Sequence, residues 1–334
     1  MDNMNKNPDI SVLMACFNAS EWLEDAIISV LSQTFINFEF IIVDDGSTDN
    51  TLKIIDKFCN IDNRIILIAN KHSGLAFSLN IGIKAAKGKW IARIDADDIC
   101  KPNRLERQFN FVKNRDKVVF VGSNCIEANE NLDHQVTTRY PKSDKFLARY
   151  LQTARKFPPH SSAFFLKSSA LCVDGYRSRF DLVQDRDLWL RMSEVGEMSC
   201  IDEALVIIRH HNDNMSNGPS YMPQRAFSYM AMVSYFIRKM RFIDPLEGSE
   251  LDFIEFKGWI LYKLKLHGVI NRIDIREYVK YSKIQFNNSS YFLLRTAVKP
   301  RMFIDLLVIL KTRLFGSNLP YNLARDWKKY KEEN

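Results

Sequence analysis

Four apolar runs, each closed by a polar turn, dominate the first hundred residues of this chain. They lie at 9–15, 38–43, 64–69 and 90–94, with a segment of helical period after each of the first three. The run at 38–43 (Phe-Glu-Phe-Ile-Ile-Val) is almost continuously apolar, as a strand buried on both faces must be. After the first run, Leu23, Ile27, Val30 and Leu31 recur at helical spacing. Ser20 stands where a cap would sit, and Glu21 and Glu24 fall in the first turn. A glycine-containing turn at 70–74 leads into a helix that runs to about Lys87. Strands alternating with helices at this spacing require right-handed crossovers and therefore a parallel sheet. In such a sheet the carboxyl ends of the strands share one edge, and ligands bind there.

That edge is acidic. The second run ends in Asp44-Asp45-Gly46-Ser47-Thr48-Asp49, and the fourth ends in Asp95-Ala96-Asp97-Asp98. Pro102 then stands where a helix begins, with Leu105, Phe109 and Val112 at helical spacing. Three carboxylates within four residues repel one another, and a divalent cation relieves the repulsion most simply. The alternative is a helix N-terminus that uses the acids against its own dipole. No G-x-G-x-x-G follows the first run, and no G-x-x-x-x-G-K-[ST] occurs anywhere. The pattern is a nucleotide site without either phosphate loop. Magnesium or manganese, held by one or two carboxylates and by substrate phosphates, suits it. A third acidic element, Gln184-Asp185-Arg186-Asp187-Leu188-Trp189-Leu190-Arg191, opens an amphipathic helix over 185–195. Asp185 is placed either to deprotonate an acceptor hydroxyl or to cap that helix. Trp189 could stack on a sugar, but its place on an amphipathic helix favours the core.

Beyond residue 115 the pattern loosens. Strands are expected at 118–121, 125–128, 160–166 and 204–208. Asn217-Gly218-Pro219 marks a boundary between a domain at 1–219 and a helical region at 220–334, rich in Tyr, Phe, Lys and Arg. The last 115 residues hold 20 Lys and Arg against 11 Asp and Glu, while the part before them is slightly acidic. Residues 300–315 form a largely apolar helix flanked by Lys299, Lys311 and Arg313. It suits an anionic membrane surface reached through residues 299–315, or a packed position on the catalytic domain or a partner subunit. No recognition module for nucleic acid is visible. The six cysteines are scattered, with no C-x-x-C pair, which argues against zinc and disulfides and for a reducing compartment. The N-terminus lacks the pattern of a signal peptide. No run of about 18 uncharged apolar residues exists to span a bilayer. A cytoplasmic location is expected, with peripheral attachment to the inner membrane face if the 300–315 helix binds lipid.

Four segments occur in order and at fitting intervals: Ser11-Val12-Leu13-Met14-Ala15-Cys16-Phe17-Asn18, Val43-Asp44-Asp45-Gly46-Ser47-Thr48-Asp49, Ala92-Arg93-Ile94-Asp95-Ala96-Asp97-Asp98 with Pro102, and Asp185-Arg186-Asp187-Leu188-Trp189-Leu190-Arg191. Over residues 9–216 the chain resembles the inverting family 2 glycosyltransferases of the GT-A fold that build bacterial surface polysaccharides. The resemblance implies an α/β, Rossmann-like sheet, mostly parallel, with helices on both faces. It implies a nucleotide-sugar donor, UDP-linked by preference, a saccharide or lipid-linked saccharide acceptor, and a divalent cation, Mn or Mg. Asp45 would bind the uracil, with Cys16, Phe17 and Asn18 lining the nucleoside pocket and Gly74 and Ala96 completing the donor set. Asp95 would lie near the ribose and sugar, Asp97 on the metal, and Asp185 would be the general base. His211, in Arg209-His210-His211-Asn212-Asp213-Asn214-Met215-Ser216, matches the basic segment that closes such domains and would meet the metal or diphosphate. The chain departs from the family at Gln184, where a glutamate is usual. His160, after Pro158-Pro159, is read as a structural histidine near the sheet edge.

Three other readings are weaker. A nucleotidyltransferase needs a glycine-rich, basic loop after the first strand, which 15–20 is not. A phosphatase built on Asp95 has Thr or Val where this chain has Asp98. A nucleotide-sugar-binding protein without transfer activity has only Gln184 in its favour, and Asp185 stands against it.

Overall fold

The fold was obtained as a computed structural model that describes residues 7–153, 155–180, 182–212, 214, 221–269 and 318–333. The helix expected at 300–315 and the boundary residues 217–219 lie outside these. The chain divides into two compact units, residues 1–150 with 156–212, and residues 151–155 with 213–334.

The first unit is a nine-stranded sheet. Strands β1 (Ile10–Cys16), β2 (Phe38–Asp44), β3 (Ile65–Ala69) and β4 (Trp90–Arg93) alternate with helices α1 (Leu23–Leu31), α2 (Thr51–Cys59) and α3 (Leu75–Ala85). These four strands are mutually parallel. A two-residue strand β5 (Ile99–Cys100) and helix α4 (Arg104–Val112) follow. The remaining elements are β6 (Val118–Asn129), β7 (Val136–Thr138), α5 (Asp144–Gln152), β8 (Phe164–Leu166), α6 (Lys167–Cys172), α7 (Gln184–Met192) and β9 (Glu197–His210). The order across the sheet is β3-β2-β1-β4-β8-β6-β9-β5, with β7 beside β6. β8 runs antiparallel to β4 and β6, whereas β6 and β9 are parallel.

Both faces of β1 and β2 are buried, which is why these runs lack polar alternation. Ile10, Val12 and Met14 pack in one core with Leu23, Ile27 and Val30 of α1 and Ile55 and Phe58 of α2. Leu13 points to the other face, against α3, where a Cβ on Gly82 would lie 2.1 Å from the Leu13 side chain and force it to shift. β1 has β2 on one side and β4 on the other, so the strand order reverses beside β1. A crevice at the carboxyl ends follows from that reversal.

Several local expectations are corrected. Ser20 does not cap α1. The helix begins at Leu23, and the Ser20 amide is held by Asp49 at 3.1 Å. The strands expected at 118–121 and 125–128 are one strand, β6, with register irregularities near Ser123 and Asn124. The strand expected at 204–208 is the second half of the longer β9. Residues 160–166 are not one strand. Residues His160–Ser162 form a 3-10 turn, because Ser162 and Ala163 donate back to Pro159 and His160, and only Phe164–Leu166 is extended.

The second unit contains α8 (Tyr221–Lys239), α9 (Glu250–Leu266) and α10 (Leu319–Glu333) among its described residues. α10 packs on α8, and Trp327 meets Phe256 and Trp259 of α9 edge-on. A capping box at Ser249 and Asp252 starts α9.

Candidate active site

The first wall of the crevice is built where β1 and β2 end. Their register sets Cys16 beside Asp44, and the Asp45 amide donates to the Cys16 carbonyl at 2.8 Å. The Cys16 side chain belongs to the core, and burial pushes its thiol well up. Asn18 holds a left-handed backbone (φ 48°), which asparagine tolerates. Its side-chain oxygen accepts the Thr48 amide at 2.8 Å, and its own amide donates to Ser47 Oγ at 2.9 Å. The two loops are thus stapled together.

Asp45 is buried, three donors converge on its carboxylate, and His72 Nδ1 sits beside it and 3.2 Å from the Asp45 carbonyl. Oδ1 accepts from the Ser73 amide (3.0 Å) and Ser78 Oγ (2.7 Å). Oδ2 accepts from the Gly74 amide (2.9 Å) and faces His72 Nδ1 at 2.9 Å. The His72 ring packs against Phe17 at a 30° tilt, centroid to centroid 4.2 Å, and both rings are open to solvent.

The acid turn after β4 is the second wall. The guanidinium of Arg93, fully buried, grips both oxygens of Asp95. Ser161 Oγ donates to Asp95 Oδ2 at 2.8 Å and also meets Asp98 Oδ2. The other Asp98 oxygen accepts the Arg209 amide at 2.9 Å. Arg209 in turn bonds the Asp97 carbonyl at 3.0 Å and lies over the Trp22 ring at 4.4 Å. Asp98 is therefore turned inward, joining the turn to the end of β9. Asp97 faces the other way: its Oδ2 is 3.1 Å from His211 Nε2. Burial and the neighbouring Asp95 push the Asp97 carboxyl up, while His211 opposes the shift. Burial, then Asp97 and Asp95, push Asp98 higher still.

Oxygens of Asp95, Asp97 and Asp98 lie within 4.8 Å of one another. Carboxylate oxygens so placed could hold a divalent cation, with His211 beside Asp97. Carboxylates suit magnesium or manganese, and a cation there would offset the repulsion that burial amplifies.

The third wall is α7. Val183 precedes it in a left-handed conformation (φ 65°), which is strained for a β-branched residue. Asp185 lies in the first turn and does not cap the helix. Its Oδ1 accepts the Arg186 amide at 2.7 Å. Burial pushes its carboxyl up, Arg186 and Arg93 pull it down, and Asp95 adds to the rise. The same sheet edge thus brings Asp185 within electrostatic reach of Arg93 and Asp95. Asp187 is spent on ion pairs with Arg191 (2.6 Å) and Arg177 (3.2 Å). Trp189 is fully buried among Phe120, Phe165, His160 and Tyr176. Gln184 is buried, and its Oε1 has no hydrogen-bond partner. His160 accepts or donates to the Tyr176 hydroxyl at 2.7 Å, and burial holds it well below the usual histidine range.

The family model for glycosyl transferase family 2 matches residues 11–173. The O-antigen biosynthesis glycosyltransferase WbnJ of Escherichia coli is 30% identical over 234 residues, covering 69% of this chain and 88% of that protein. The chain belongs to glycosyltransferase family 2. Its class of activity is glycosyl transfer. Solved structures agree on the GT-A fold. Staphylococcus aureus TarS 1-349, crystallised with UDP-GlcNAc, superposes with a TM-score of 0.59 at 14% identity, covering 96% of this chain and 92% of that one. The mannosyltransferase PcManGT of Pyrobaculum calidifontis, solved with GDP-Man and Mn2+, gives 0.53 at 15% identity, covering 98% and 89%.

In this glycosyltransferase, His72, Ser73, Ser78, Arg93 and Ser161 were not singled out from the sequence, whereas Arg209 lies in the basic closing segment. Only Arg93 lies beside a recognisable acid turn. The others meet the aspartates through tertiary contacts that local pattern does not signal.

Proposed function

We propose that this chain is a metal-dependent, inverting transferase that moves a hexose or N-acetylhexosamine from a nucleotide sugar, UDP-linked by preference, to a saccharide or lipid-linked saccharide acceptor in cell-surface polysaccharide synthesis. One observation carries the proposal: Asp95 has the Asp97–His211 pair on one side and the raised carboxyl of Asp185 within electrostatic reach. The O-antigen relative and the nucleotide-sugar complexes of the structural neighbours support it.

Asp45 and the Phe17 ring suit a nucleobase, the first by hydrogen bonding and the second by stacking. Asp95, Ala96 and Gly74 border the ribose and sugar. Asp97 and His211 would hold a divalent cation, which would supply positive charge opposite the departing diphosphate. Arg93 holds Asp95 rigid, so its carboxylate needs no reorganisation during the reaction. Asp185 takes the proton of the acceptor hydroxyl as that oxygen forms its bond to the anomeric carbon. The bond to the diphosphate breaks on the opposite face, so an α-linked donor yields a β product.

A panel of UDP-, GDP- and dTDP-sugars tests the reading. Asp185→Asn should lower transfer by about 10²-fold or more while UDP binding persists. The wild-type rate should rise with pH through a limb above the ordinary aspartate value of about 3.9, because the base acts only when deprotonated. Full turnover in the variant, or a limb at or below that value, would remove Asp185 from the role. The basic last third also supports peripheral attachment to anionic lipid. The full chain should float with anionic liposomes and not with neutral ones, and equal flotation would end that part of the reading.

A further inference from the structure

One side-chain amide joins the donor side of the site to the base. Asn80 lies on α3, the helix whose start holds Asp45 through Ser73, Gly74 and Ser78. Its Nδ2 donates to the Tyr176 carbonyl at 2.7 Å, and its Oδ1 accepts the Tyr176 amide at 2.8 Å. The amide therefore satisfies both backbone groups of one residue, 96 positions along the chain, as a neighbouring strand would. Gly175 makes the approach feasible: it holds φ +64°, and a Cβ there would lie 2.4 Å from Asn80 Oδ1.

The clamped segment is tied on its far side to α7. Arg191 donates to the carbonyls of Val173 and Gly175 and grips Asp187 through two nitrogens, at 3.0 and 2.6 Å. Arg177 reaches Asp187 as well. The Tyr176 ring, buried, meets His160 and Trp189. A continuous path of hydrogen bonds thus runs from Asp45 through α3 and Asn80 to residues 173–177, and on to the helix that carries Asp185.

We infer that Asn80 is a positioning residue for the general base: it sets α7, and with it Asp185, relative to the bound donor. The inference rests on the assignment of Asp185 given above. Asn80 touches no reacting atom. Its contribution is the registration of two parts of the site, where a displacement of about 1 Å costs on the order of 10²-fold in rate.

The test uses the full chain. Asn80→Ala removes the clamp from one side, Gly175→Ala crowds it from the other, and Asn80→Asp keeps the acceptor while losing the donor. The expected result is a fall in kcat of tenfold or more for Asn80→Ala and Gly175→Ala, with Asn80→Asp between these and wild type. KM for the donor and the UDP affinity by calorimetry should stay within about twofold. Hydrogen exchange should show lost protection in 173–192 and unchanged protection in β1, β2 and β4. A variant with a lower Tm and wild-type kcat per folded molecule would make Asn80 merely structural and overturn the inference. Loss of UDP affinity in step with kcat would overturn it too, by placing the effect at the donor. Exchange reads the clamp whether or not the wild-type chain transfers sugar, so failure of the Asp185 assignment would show separately, as full activity in Asp185→Asn.

Discussion

At Asp45 both carboxylate oxygens already have protein partners. Two of its four partners are backbone amides and one is the buried Ser78, all held by α3 and the turn before it. The fourth, His72, is a solvent-exposed ring that packs against Phe17 and points a nitrogen at the carboxylate. A uracil imide would make the same two contacts, so base and imidazole compete for one place. One hydrogen bond to a charged group contributes about 1.5–3 kcal/mol. His72→Ala should therefore tighten UDP binding by roughly tenfold in calorimetry. Weaker binding in that variant would mean that the ring contacts the nucleotide instead. Asp98 carries a related lesson. Counted in the sequence it is a third acid for a cation, yet in the fold both of its oxygens face Ser161 and Arg209. Its role is to hold the turn onto β9, which brings His211 to Asp97.

At the scale of elements, α7 was the most legible functional feature after the first four strands. Its period placed Trp189 toward the core, and the indole is fully buried against β6 and β8 aromatics. Trp189→Ala should destabilise the first unit by about 3–5 kcal/mol, read as a lower urea midpoint with an unchanged slope. A change below 1 kcal/mol would contradict the packing. The start of α7 was not legible: Asp185 reads as a cap in isolation, whereas the chain enters the helix through a strained Val183. The segment at 160–166 was misread for a related reason. Its residues suit a strand, but Ser161 and Ser162 sit in a turn that points a hydroxyl at the acid cluster. Strand propensity is weak against such a long-range demand. β1, β2 and β4 were legible because each is buried on both faces, and the partly buried edge strand β3 still carries its own apolar signature.

At the scale of the whole molecule, the site is a junction of loops from one sheet edge, so ligands that bridge them should stabilise the fold. UDP with Mn2+, at about a hundred times its Kd, should contribute about 2.7 kcal/mol and raise the Tm by a few degrees. Asp97→Ala should abolish the part of that rise that requires metal. An identical metal-linked rise in the variant would place the cation elsewhere. Among the described residues no helix is long and apolar enough to cross a membrane.

Local pattern was enough to determine the parallel core, the acidic edge and the position of the aspartates. These depend on periods of two and of 3.6 residues and on turns between neighbours in the chain. The partners of those aspartates were decided only by the tertiary structure. Gly74 meets Asp45 across 29 positions, Ser161 meets Asp95 across 66, and His211 meets Asp97 across 114. No local preference encodes such contacts. They exist because the sheet order puts β4 between β1 and β8 and returns β9 to the acid turn, where buried charge must find a partner or stay un-ionised.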